Sequence, residues 1–186
     1  MNGLLKISSL KDGVEVPFET PAVYSFQSMS SGGKRLVAGV PAGDSSILLA
    51  LMKQLDGPFF MLYVLHTPRG EAAPGRYQSP SVSAAQAEEF IVKFSDYLTA
   101  DARFDLWVHS PSASGTLVWD RHNQLYCYGP LERYATALDS VGFIEQALSG
   151  FGPHAHHYRP ELDAQAKDLL RHFQWSASPL RPEDEQ

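Results

Sequence analysis

A single α+β domain with an α/β-like core is the fold that three stretches of this sequence predict. The first is Phe59–His66, an apolar run bounded by Gly57-Pro58 and Thr67-Pro68, which suits a strand buried on both faces. The second is a helical pattern over 83–98 leading into a further strand over 104–109, which together with the first stretch makes a βαβ unit. The third is a hairpin pattern over 116–128, with Asp120-Arg121-His122-Asn123 as its turn. A mixed sheet with helices packed on it follows. Strands 59–66 and 104–109 are expected to run parallel, adjacent or one strand apart.

Composition sets the class. The chain has 186 residues, 44% apolar and 19% charged, which fits one soluble domain with a sizeable core. A net charge of −6 argues against nucleic-acid binding, which needs a basic surface. Cys127 is the one cysteine, so an intrachain disulfide and a four-cysteine zinc site are both excluded, and its apolar neighbours predict a buried, inert thiol. No apolar run approaches the roughly 18–20 residues of a membrane span, and no signal-peptide pattern opens the chain. A cytoplasmic domain of bacterial type is expected.

In chain order, residues 1–43 offer short strands between Asp12-Gly13, Thr20-Pro21 and Ser30-Ser31-Gly32-Gly33. Ser31-Gly32-Gly33-Lys34 lacks the spacing of a phosphate loop and is expected to be a turn. A helix over 45–56 is capped by Asp44, ended by Gly57-Pro58, and aligns Leu48, Leu51, Met52 and Leu55. After the apolar strand, 67–80 carries Pro68, Gly70, Pro74, Gly75 and Pro80 and is expected to be a long loop. Ser83 and Gln86 form a capping box for the next helix, whose core face is Ala87, Phe90, Ile91, Phe94 and Leu98. Gly129-Pro130 starts another helix, with Gly142 as terminator. A last helix spans 160–174, and 177–186 is expected to fray.

If the two long strands are parallel, both finish at one sheet edge, the place where open α/β sheets bind ligands. That edge would present His66, Arg69, Arg76, Tyr77, His109 and Ser110. Imidazoles and guanidiniums together suit an anion, because arginine grips carboxylate or phosphate through two parallel bonds. The His-x-Thr or His-x-Ser motif of paired-histidine phosphoesterases is not met: Thr67 and Ser110 directly follow their histidines, and Pro68 and Pro111 stand where the hydroxyl belongs.

His154, His156 and His157 form the second constellation. Residues 154 and 156 share a face if extended, a geometry open to zinc or another transition metal, with Asp163, His66 or His109 available to complete it. The metallo-β-lactamase motif is incomplete, since Tyr158 replaces its aspartate and Arg159 its last histidine. Asp120 beside His122 has the composition of an acid–base pair, although neighbouring turn residues point apart and a turn aspartate usually caps its own backbone. Ser110, Ser112 and Ser114 lack the Gly-x-Ser-x-Gly setting of a nucleophile.

The functional expectation is a non-enzymatic module that binds a protein or an anionic small molecule through the strand-end edge and the 67–80 loop, without a cofactor. The alternative is a hydrolase or phosphoesterase that works with His and Arg side chains, with metal at the 154–157 cluster.

Overall fold

The computed structural model describes residues 4–30 and 32–184. Ser31 of the glycine turn and the last two residues of the tail lie outside the described residues. The architecture is α+β. Among the described residues, β1 (Ile7–Lys11), β2 (Val14–Pro17), β3 (Val23–Ser28) and β4 (Lys34–Gly39) precede α1 (Ser45–Met52). β5 (Phe60–Leu65), β6 (Gly75–Gln78), α2 (Ala84–Lys93), α3 (Ser95–Ala100), β7 (Phe104–Ser110), β8 (Gly115–Trp119) and β9 (Gln124–Tyr128) form the middle of the chain. α4 (Leu131–Ser140), β10 (Ile144–Glu145), β11 (His154–His156), α5 (Asp163–His172) and β12 (Ser176–Ser178) complete it.

The strands make two sheets, one ordered β10-β3-β4-β9-β8-β7-β5-β6-β12 and a smaller one ordered β11-β1-β2. The parallel arrangement expected of strands 59–66 and 104–109 is corrected here. β5 and β7 pair directly and antiparallel, from Phe60↔His109 to Leu65↔Phe104. The cause lies in the presumed loop 67–80, which contains β6, and β6 folds back antiparallel on β5 before α2 begins. The helical crossover thus connects β6 to β7, two strands that both oppose β5 and are therefore parallel to each other. A crossover unit exists, but it starts one strand later and straddles β5.

Local signals otherwise produce the elements their residues dictate. Both bonds of the Ser83–Gln86 capping box form, at 2.9 and 3.3 Å. The predicted helix over 83–98 breaks at Phe94 into α2 and α3. The predicted helix over 160–174 becomes a short 3-10 turn, Pro160–Leu162, followed by α5. One face of the large sheet carries the main core, in which Leu36, Tyr63, Phe104, Leu106, Trp119 and Cys127 meet Leu48, Phe90, Tyr97, Tyr134 and Leu138 from the helices. Cys127 is fully buried, and burial pushes its thiol pKa up. The opposite face holds a smaller cluster of Val37, Val118 and Tyr126, with Trp107, Tyr128 and Leu148 against it.

Within the tail expected to fray, the described residues reach Asp184. β12 pairs with β6 at Ser176↔Gln78, Trp175 sits against Phe90 and Phe173, and the buried Asp184 pairs with Arg76. Packing is equally close at Gly39, where a Cβ would stand 2.2 Å from the Pro21 carbonyl oxygen and 2.7 Å from Thr20 Cγ2. Gly39→Ala is expected to destabilise the protein by about 1–3 kcal/mol, because backbone cannot swing aside as a side chain can. Urea denaturation checks this, and a midpoint equal to wild type would contradict it.

The small sheet sets the geometry of the site. β1 pairs with β11 at Ile7↔His156 and Ser9↔His154, which joins the beginning of the chain to its last third. Two clips hold this ribbon on the large sheet. Arg159 donates to Ala100 O, Leu5 O and, through its backbone N–H, Asp101 Oδ2, while Ala102 N–H donates to His157 O. Lys6 Nζ donates to Asp120 O at 3.1 Å, in the β8–β9 turn.

Candidate metal centre

Three imidazoles converge where the small sheet meets that turn. His154 and His156 project from the same face of β11 because strand side chains alternate. His122 comes from the turn between β8 and β9. Ring centroids lie 5.3 Å apart for His122–His154, 4.9 Å for His122–His156 and 5.0 Å for His154–His156. One nitrogen from each ring lies within 4.8 Å of the others. A tetrahedral zinc with bonds of about 2.0–2.1 Å holds its nitrogens roughly 3.3 Å apart, so small ring rotations close the set.

The surroundings orient each ring. The Asp120 carboxylate accepts the backbone N–H groups of His122 and Gln124, at 2.9 and 2.8 Å, which shapes the turn. Its other oxygen is 2.8 Å from His122 Nδ1, so the carboxylate fixes that ring and leaves Nε2 for the cluster. His154 Nδ1 donates to Gly152 O at 2.9 Å, which places a proton on Nδ1 and leaves Nε2 as the candidate donor atom. His156 Nε2 is buried and has no hydrogen-bond partner among the described residues. Burial and the nearby His122, His154 and Arg121 pull the pKa of His156 down to about 4, so the ring is neutral near pH 7. Neutral imidazole is the form that binds metal.

His157, the third histidine of the expected cluster, is not among these three. As the next residue after β11 it turns away, its Nε2 lying 3.9 Å from Glu15 Oε2. His122 takes its place. The sequence marks His122 only as the neighbour of Asp120, because what brings it to β11 is the pairing of β1 with β11 and no local spacing.

The strand-end residues do not converge. Antiparallel pairing puts His66 and His109 at opposite ends of neighbouring strands, roughly 20 Å apart at about 3.4 Å per residue. His66 Nε2 is hydrogen-bonded to the buried Asp105 at 2.9 Å. Arg69 Nε donates to Asp163 at 3.1 Å, and Arg76 pairs with Asp184 while lying over the Trp107 ring. Tyr77 donates its hydroxyl to Ala73 O, the exposed His109 is bonded to Thr116, and Ser110 donates to Asp56 O. His109 lines a shallow groove of about 330 Å³ with Phe60, Leu62, Gln78, Trp107 and Pro111. No family model, curated protein or solved structure matches this chain.

Proposed function

We propose that this protein binds a divalent transition metal of the zinc class through His122, His154 and His156, with one coordination position left for an exogenous ligand. The observation that supports the reading most is the buried, unpartnered His156 Nε2 inside a cluster of three imidazoles. A buried polar atom left unpaired costs about 1–3 kcal/mol, and coordination would satisfy it. Asp120 on His122 and the Gly152 carbonyl on His154 are the outer partners that metal-binding histidines normally have. Among the described residues no fourth protein donor joins the three imidazoles. Three histidines with one free position are the donor set of zinc enzymes rather than of closed structural sites.

A metal-dependent enzyme of the hydrolase type is therefore favoured over a non-enzymatic module at the strand ends. Of that module, His66 and His109 lie at opposite ends of the β5–β7 pair while Arg76 and Tyr77 are in β6, each engaged by its own neighbour. With one buried thiol and no disulfide, a reducing cytoplasmic setting belongs to the same proposal.

Metal analysis of untagged protein tests the reading. Stoichiometric zinc uptake is expected for wild type and for His157→Ala, and is expected to be lost in His154→Ala and His156→Ala. Free zinc at a hundred times its dissociation constant should raise stability by about 2.7 kcal/mol, in the two competent proteins alone. Absence of uptake by wild type, or an equal loss in His157→Ala, would refute the assignment.

A further inference from the structure

The surroundings of the three histidines also define what the free position would take, an inference that rests on the metal reading above. Three neutral imidazoles leave the double positive charge of the ion uncompensated. Asp120, bonded to His122 Nδ1 at 2.8 Å, contributes one negative charge against the two of the ion. The local balance stays positive, which favours an anionic oxygen donor in the fourth position.

Aromatic rings flank the same cluster. Phe151 stacks on His122 at 4.9 Å with 23° between planes and also approaches His154 at 5.6 Å. Phe18 meets Phe151 edge-on at 5.4 Å, and Tyr158 lies 6.2 Å from His156. The two phenylalanine rings offer contact to an apolar body and no hydrogen-bond donors, and of the rings named here Tyr158 alone carries one donor for a multiply charged head. Phosphate, whose remaining oxygens would need donors of their own, is therefore poorly served, whereas a carboxylate places its charge on the ion and needs little else.

We propose that the open position takes a carboxylate carried on an apolar or aromatic body, with one carboxylate oxygen on the metal and the body against Phe151 and Phe18. Cobalt(II) in place of zinc makes the coordination visible in the absorption spectrum. Untagged full-length protein is loaded with cobalt, its metal content is measured, and acetate, benzoate and inorganic phosphate are titrated in turn.

Saturable spectral changes are expected with both carboxylates, benzoate binding about tenfold more tightly than acetate because its ring leaves water. Phe151→Ala should erase that preference while the cobalt content stays the same. Stoichiometric cobalt with a spectrum that no anion moves would overturn the carboxylate inference and leave the metal centre standing. Phosphate binding more tightly than benzoate, or a benzoate preference that survives Phe151→Ala, would overturn the proposed class. A wild-type chain that takes up no cobalt would remove both proposals together.

Discussion

Arg103→Met is expected to lower the unfolding free energy by about 3–5 kcal/mol, the cost of stranding buried charges by removing their partner. The Arg103 side chain is fully buried. It grips Asp101 with two parallel bonds, Nε to Oδ1 and Nη2 to Oδ2, both 2.8 Å. It also reaches Glu71 at 3.1 Å, Asp163 at 2.9 Å and the Arg159 carbonyl at 3.1 Å. Methionine fills much of the volume but leaves Asp101 and Glu71, both nearly inaccessible, without their cation. Arg103→Lys is expected to recover only part of the loss, because one ammonium cannot reproduce a planar fork. Because Asp101 also holds the Arg159 backbone, the damage should extend to β1 and β11, with faster amide exchange there than in β8. Urea denaturation with hydrogen exchange measures both effects, and a variant as stable as wild type would show that the network adds nothing.

The second large effect has the opposite sign. Lys6 is fully buried between the rings of Phe104 and Trp119, with Nζ 4.8 and 4.3 Å from their centroids. Desolvation pulls its pKa from 10.5 down to about 8, against the attraction of Asp120, Asp105 and Asp101. Between those values the unfolded chain binds more protons than the folded one, so stability rises with pH across that window. Below about pH 8 the folded state carries the full penalty, roughly 3 kcal/mol for such a displacement. Lys6→Met is therefore expected to stabilise metal-free protein at pH 7 by about 1–3 kcal/mol, with the gap closing as pH approaches 10.5. Denaturant titrations at pH 7 and at the alkaline end of the window decide it. A variant less stable than wild type at pH 7, by an amount independent of pH, would mean that the aromatic cradle outweighs desolvation.

Local chemistry was legible and nonlocal pairing was not. The Ser83–Gln86 cap, the 116–128 hairpin and the α4 stop at Gly142 each rest on neighbouring residues, and each forms. β6 was hidden because a short strand flanked by Gly and Pro has no readable period, and missing it reversed the direction of β7 relative to β5. The site divides the same way. His154 and His156 are two apart on a strand, a spacing visible in the letters, whereas His122 arrives through tertiary contacts alone. Lys6 carried no signal either, since nothing in a short N-terminal run announces that its cation ends between two buried rings.

The two shortest strands of the large sheet are the ones that form its edges. An uncapped sheet edge presents unpaired backbone groups to any extended chain, including a second copy. Here the edges end in Ile144–Glu145 and Ser176–Ser178, too short to template another strand. On the β12 side Pro179 follows at once, without the N–H group that lengthening the ladder would need, and Pro182 comes three residues later. The Trp175 contact with Phe90 and the Arg76–Asp184 pair keep that cover in place over β6. The C-terminal segment thus covers the β6 edge, and Trp175, packed against the main core, ties that cover down.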